Sequence, residues 1–369
     1  VSLQNICYYQ VLLNIMTNFL VDSDKKLSNL VSKLKDIKEI GLDTEFIRES
    51  TYYPILALLQ LSDKKHTYCI DILALNNKEL VIDLLKDKNI VKIIHSSKQD
   101  LEVLNHYYGC YPENIFDTQL ADNFINPEIS ISYSNLVKRH FSVLLKEGSW
   151  RTDWLKRPIS DDKIEYAGND VKYLIGLYEI LKNQLIGLNR YDWFLEEQKL
   201  ELEKSNIVTE PDISWQKVNL PSKITSTQLN HLKILSKWRE EKAINHDMPK
   251  RWIFSDSELI KITLSRSNKL TAILNNLKHQ PSNEDINYII SILELKYNEA
   301  PVEFKNFDPS TYNKRVNICH QTLEIVCDEY KVSSTLIANK RDIDLFARGK
   351  KDIRFLQGWR FKIFGKLVQ

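Results

Sequence analysis

The stretch EIGLDTEFI, residues 39–47, reads as a β-strand whose apolar residues Ile40, Leu42, Phe46 and Ile47 surround two acids, Asp43 and Glu45. Side chains alternate along a strand, so residues 43 and 45 share one face. A carboxylate taken out of water costs several kcal/mol unless something compensates it. Two acids held side by side raise each other's cost of ionisation, and a bound cation is the usual remedy; oxygen ligands of this kind favour magnesium or manganese. A pair at a strand end facing water would have the same spelling, so the metal reading needs further acids elsewhere in the chain.

Working outward, LSNLVSKLKDIK (27–38) has helical spacing, and ILALLQLS (55–62) and HTYCIDIL (66–73) are two more apolar runs after the opening strand. Three consecutive strands predict an antiparallel meander. A helix NKELVIDLLKD (77–87), a strand VKIIHSS (91–97) and a helix KQDLEVLNHYYG (98–109) closed by Gly109 follow, which together make a mixed sheet with helices packed on it. Further on the pattern is helical: DTQLADNFI, SYSNLVKRHF, and one long run over about 161–202 with Ile164, Ala167, Val171, Leu174, Leu177, Tyr178 and Leu181 on a single face.

Residues 205–224, with Pro211, Pro221 and no helical period, read as a linker. Beyond it the helices start at cap signals, Ser/Thr at 225–227 and Ser255, and a second polar break at 298–313 separates two helical blocks. The expected organisation is an α/β domain over 16–204, the linker, a helical domain over 225–300 and another over 301–369.

Composition narrows the class. With 369 residues, 43% hydrophobic, the chain can build more than one core. Its 51 basic and 49 acidic residues nearly balance, but the last thirty hold nine basic residues against three acids. That local excess suggests a face able to bind phosphates, or simply a solvated basic surface. Five cysteines without a C-x-x-C pair argue against a disulfide framework and a zinc knuckle, and fit a reducing cytoplasm. The apolar run near the start is interrupted by Gln10, Asn14 and Asn18 and is too polar to span a bilayer, so no membrane is expected, and the first domain is expected to begin near Met16. A monomer is the expected state.

Two other places offer acids. Asp100 falls in the first turn of a helix just after a strand, a position that suits either a ligand at the sheet edge or a helix-dipole partner. Tyr166 and Asp170 are four apart, hence on one helix face, where they serve a site or an ordinary amphipathic helix.

LDTEF with YYPILALLQLS, then HSSKQDLEVL, FDTQLA, SWRTDWLKRPIS and YAGNDVKYLIGLY resemble, in order, the motifs of the ribonuclease D family within the DEDD superfamily of 3'-5' exonucleases. LKILSKWREEKAINHDMPKRWIFSDSELIKI and RDIDLFARGKKDIRFLQGWRFKIFG resemble the two HRDC domains of that family. The resemblance implies an RNase H-like α/β exonuclease domain, a mixed sheet flanked by helices, followed by two all-α HRDC-type domains. It also implies two divalent cations, Mg2+ or Mn2+, held by Asp43, Glu45, Asp100 and Asp170. Such a pair, about 3.5–4 Å apart, stabilises the attacking and leaving oxygens at phosphorus. Tyr166, in the position that defines the tyrosine subclass, would orient the attacking water. The family usually has small apolar residues where this chain has Gly168 and Asn169, and a glycine there predicts a looser turn, at about 1 kcal/mol.

Tyr53, His95, Arg151 and Arg157 are candidate substrate contacts: an aromatic to stack on a base, a histidine beside the third acid, two arginines for phosphate. Each also has a plain structural reading as packing, cap or local ion pair, and Asp117 reads as a helix cap rather than a fifth ligand. The expected activity is 3'-5' hydrolysis of RNA to nucleoside 5'-monophosphates, with transfer RNA precursors and other 3'-extended RNAs as partners. The alternatives are a DNA 3'-5' exonuclease and a non-catalytic RNA-binding protein or helical scaffold.

Overall fold

The computed structural model describes residues 16–128, 130–146, 153–205, 210–220, 224–265, 270, 273–274, 277, 279–297 and 308–369. Its sheet has six strands: β1 (Thr17–Val21), β2 (Glu39–Ile47), β3 (Ile55–Ser62), β4 (His66–Asp71), β5 (Val91–Ile94) and β6 (Ile115–Asp117), in the spatial order β1-β4-β3-β2-β5-β6. The meander β2-β3-β4 is antiparallel as expected, while β1, β5 and β6 join it parallel. The edge strands β1 and β6 are short, and neither is legible as a strand from its own pattern.

The alternation of β2 sorts its residues. Ile40 and Leu42 enter a core with helices α1 (Asp24–Leu34), α2 (Glu79–Lys86) and α3 (Lys98–Tyr108), through Leu27, Leu30, Leu84, Leu101 and Leu104. Gly41, Asp43 and Glu45 face the other way, toward the helix Asp161–Lys172, reached after α4 (Thr118–Asn123) and α5 (Tyr133–Phe141) and labelled α6. A β-bulge follows Glu45, where the pairing jumps from Leu58 to Leu56 and leaves Ala57 unpaired, so the two acids sit on the regular part of the strand.

Gly168 explains the departure from the family pattern. A β-carbon there would lie 2.7 Å from Asn18 Oδ1 and 2.9 Å from Thr67 Oγ1, so glycine lets α6 lie directly on β1 and β4. The position is tight rather than loose. The long helix expected over 161–202 is three: α6, α7 (Leu174–Gly187) and α8 (Tyr191–Ser205), with the second break at Asn189, whose φ is 56°.

The chain forms two compact units, and they do not follow the chain order of the expected segments. The described residues within Val1–Ile47, Ile55–Asn206 and Phe307–Gln369 form one. Its core contains Phe116, Phe124, Leu177 and Phe194 together with Leu323, Val326, Phe355, Trp359 and Phe364, so the last helical block shares the core of the α/β fold. Trp359 is fully buried and stacks on Trp193 with ring centroids 5.2 Å apart. Arg360 is buried against Glu197, Arg348 pairs with Asp344 at 2.8 Å and Arg354 approaches Asp342 at 3.4 Å. Trp359 and Arg360 are therefore interior, whereas Lys340, Arg341, Lys350, Lys351, Lys362 and Lys366 of the same basic stretch are exposed.

The other unit comprises the described residues of Arg48–Pro54 and Ile207–Asn306. Helices α9 (Ser226–Asn245), α10 (Lys250–Ile253), α11 (Asp256–Leu264) and α12 (Asn283–Glu294) enclose Leu232, Leu235, Phe254, Leu259 and Ile289. Thr225 and Ser255 cap their helices in full capping boxes with Gln228 and Glu258. The expected linker contributes to this core: Pro211–Lys217 is a 3-10 helix, and Val218 is buried with Leu232.

Candidate active site

Asp43, Glu45 and Asp170 each bring a carboxylate oxygen within 4.8 Å of the others'. β2 supplies the first two through its alternation, and α6, seated on the same face by Gly168, supplies the third. Asp100, in the first turn of α3, stands beside them: Thr44 Oγ1 donates to its Oδ1 at 2.5 Å and holds the carboxylate. Tyr166, one turn before Asp170, donates its hydroxyl to that acid. Four of the five residues expected at the centre thus meet through two elements, and the fifth is tied to them by Thr44, whose part the one-dimensional pattern did not suggest.

The electrostatics are those of a site short of positive charge. Burial, and then Asp100, Asp170 and Glu45, push the Asp43 carboxyl far above the usual carboxylate range. Glu45 is pushed up to about 8 by burial, with Asp170 and Asp100 adding to it. Asp100 and Asp170 are each pushed up to about 7 by burial, against the hydrogen bonds from Thr44 and Tyr166. The Tyr166 hydroxyl is raised, first by burial and then by Asp170, Glu45 and Asp43, so it stays protonated. Among the described residues no lysine or arginine forms an ion pair with any of the four acids. Hard oxygen donors in this number, close together and without a basic partner, fit divalent cations.

The outer candidates fall differently. Arg157 is committed: its Nε and Nη2 donate to Asp71 at 2.8 and 2.7 Å, Nη1 to the Trp154 carbonyl at 2.5 Å, and Nη2 to the bulged Ala57 carbonyl at 3.0 Å. It pins the bulge beside Glu45 and leaves no free fork for phosphate. His95 is likewise held, one ring nitrogen against the Thr118 hydroxyl at 2.9 Å and the other against the Ile131 carbonyl at 3.0 Å, and burial lowers its basicity. Both rest on partners far along the chain. Tyr53 lies in the helical unit, its N–H directed at Asp247 and its ring edge-on to Tyr52 at 4.8 Å. Arg151 lies outside the described residues. Asp117 caps α4, accepting from the N–H groups of Gln119 and Leu120, and also takes those of Ser96 and Ser97.

A family model described as 3'-5' exonuclease matches residues 18–186, and an HRDC domain model matches 228–278. Ribonuclease D of Bartonella henselae is 32% identical over 363 residues, covering 95% of this chain and 89% of the relative. The chain belongs to the ribonuclease D family. Ribonuclease D of Desulfotalea psychrophila is 31% identical over 355 residues, 92% of this chain and 95% of the relative. The crystal structure of Escherichia coli RNase D, an exoribonuclease involved in structured RNA processing, superposes with a TM-score of 0.82 at 25% identity, covering 95% of this chain and 96% of that one. As a member of this family the chain is a 3'-5' exoribonuclease with a nucleic-acid substrate, and its fold is the mixed sheet with flanking helices and a C-terminal HRDC domain. No helix among the described residues is long and apolar enough to cross a membrane.

Proposed function

We propose that Asp43, Glu45, Asp100 and Asp170 hold two divalent cations, Mg2+ or Mn2+, and that the site removes nucleoside 5'-monophosphates one at a time from the 3' end of RNA. The observation that carries this reading is the convergence of four acids with no basic partner among the described residues. Bound there, the cations would supply electrostatic stabilisation to the attacking and leaving oxygens of an in-line displacement. The chain's own groups do the rest. Asp43 and Asp170 face each other from a strand and a helix and so fix the two sides of the cleft. Tyr166, neutral and donating to Asp170, keeps its oxygen lone pairs for a water, which it orients toward phosphorus. Water adds to the phosphate, the 3'-side oxygen of the preceding nucleotide leaves and takes a proton, and the RNA ends in a fresh 3'-hydroxyl.

Transfer RNA precursors and other 3'-extended RNAs are the substrates in this reading, supported by family membership and by the processing of structured RNA stated for the Escherichia coli relative. A monomer acting in the cytoplasm, with 225–300 and 301–369 as first and second HRDC-type segments, completes it. The described cysteines are free thiols, in keeping with a reducing compartment.

The test is a single set of incubations: 3'-extended RNA and matching DNA, with magnesium, with chelator, and with Asp170→Asn. RNA is expected to shorten with magnesium only, with the variant inert. RNA that survives magnesium, or a variant that cuts like wild type, refutes the mechanism, and preference for DNA refutes the substrate. A second expectation concerns stability. The raised carboxyls stabilise the metal-free fold while protonated, an effect fully present below their unfolded values near about 4 and lost as pH climbs to about 8. Melting in chelator should therefore fall from pH 5 to pH 8, and magnesium should raise the melting temperature most at pH 8. A magnesium effect that shrinks with pH would contradict it.

A further inference from the structure

The sheet face under α6 has almost no polar group to spare. Ser62 Oγ donates to the Val171 carbonyl at 2.8 Å, Cys69 Sγ to the Ile164 carbonyl at 3.6 Å, and Thr67 pairs with Asn18. Gln60 is the exception. It stands in the apolar run ILALLQLS, is 0% exposed, and lies in register between Asp43 on β2 and Cys69 on β4. Neither its Oε1 nor its Nε2 has a hydrogen-bond partner among the described residues. A buried amide left so carries a desolvation cost that leucine or methionine in the same strand would avoid.

We propose that Gln60 is a positioning residue for Asp43: its amide N–H, in reach across the strand pair, fixes the carboxylate in the orientation that holds the cations. Residues directly opposed in an antiparallel pair have β-carbons about 4.5–5.5 Å apart and point to the same face, within reach of a glutamine amide. Once ionised, Asp43 has lone pairs beyond those a cation takes up, and ligating carboxylates are themselves held by hydrogen bonds from a surrounding shell. Tyr166 serves Asp170 and Thr44 serves Asp100 in this way; Gln60 is the donor left over beside Asp43. The inference rests on the divalent-cation reading above.

Gln60→Met keeps the volume of the side chain and removes the amide. Wild type, Gln60→Met and Asp170→Asn are compared by calorimetric titration with Mn2+, by melting in chelator, and by steady-state kinetics on 3'-extended RNA. Mn2+ binding by Gln60→Met is expected to weaken by about 10- to 100-fold, the range for lost supporting contacts around a metal. At limiting Mg2+ its kcat should fall while the KM for RNA holds, and its melting temperature in chelator should equal or exceed that of wild type. Unchanged Mn2+ affinity overturns the inference. A chelator-state melting temperature clearly below wild type also overturns it, because the amide then serves the fold. If wild type itself binds no Mn2+ and Asp170→Asn cuts as well as it does, the cation reading fails and takes the inference with it; wild-type binding matched by Gln60→Met removes the inference alone.

Discussion

Asp43→Asn is expected to lower RNA hydrolysis by about a thousandfold or more while making the metal-free protein harder to melt. Asp43 is crowded by more acids than any other carboxyl in the site: Asp100, Asp170 and Glu45 all oppose its ionisation, on top of its burial. On the proposed reading a cation relieves that crowding, so losing the Asp43 carboxylate would remove several kcal/mol of charge stabilisation, and at about 1.4 kcal/mol per tenfold such a loss amounts to about three orders of magnitude in rate. The amide is nearly the same shape and cannot ionise. In chelator at pH 8 it therefore relieves the repulsion that the wild-type fold tolerates, and the melting temperature should rise. Rates come from the release of nucleoside monophosphate and stability from thermal melts in chelator. A variant that keeps a tenth of wild-type activity, or melts below wild type, would contradict this account of the site.

The second large effect lies far from the chemistry. Glu197 on α8 and Arg360 in the last helical block are buried, at 2% and 1% exposure of their side chains, and pair directly, with Arg354 3.8 Å from the same carboxylate. Arg360 also donates from Nε to the Leu336 carbonyl at 2.8 Å. Removing one partner of a buried pair leaves an uncompensated charge and costs about 3–5 kcal/mol. Glu197→Ala should accordingly lower the melting temperature by roughly 10 °C, with kcat and KM on RNA unchanged at low temperature. Replacing both members by apolar residues, Glu197→Met with Arg360→Met, should recover most of the loss, since neither charge is then stranded. A single variant that melts like wild type would show that the pair is held weakly, and a double variant no better than the single would place the cost in packing instead.

How much of this was legible beforehand depended on whether the deciding partner was near in the chain. β2, β3 and β4 were readable because alternation is a local signal, and Thr225, Ser255 and Gly109 because capping is local too. Asp43 with Glu45, and Tyr166 with Asp170, were paired by the periods of strand and helix, and the family motifs joined the pairs. The rest turned on contacts across the chain. Thr44 meets Asp100 fifty-six positions away, and Arg157 meets Asp71 eighty-six away. Nothing local distinguishes an arginine spent on a bulge carbonyl from one free for phosphate. In the basic tail, likewise, a count of charges does not say which of them, like Arg348 with Asp344 or Arg360 with Glu197, are already paired and which stay exposed. Gln60 did carry a signal, an amide alone in an apolar strand.

The placement of Trp359 between Trp193 and Phe124 has a consequence for how the molecule is made. A ribosome completes the sheet and all four acids by Asp170, yet the aromatic wedge that closes the core behind them is added almost two hundred residues later. Until then the nascent nuclease lacks the ring that covers Phe124 and Trp193, and the apolar surface left open invites chaperones and proteases. A premature stop anywhere before Trp359 should thus yield a short-lived chain and not a trimmed enzyme, and RNA-degrading activity should emerge only once synthesis is nearly finished.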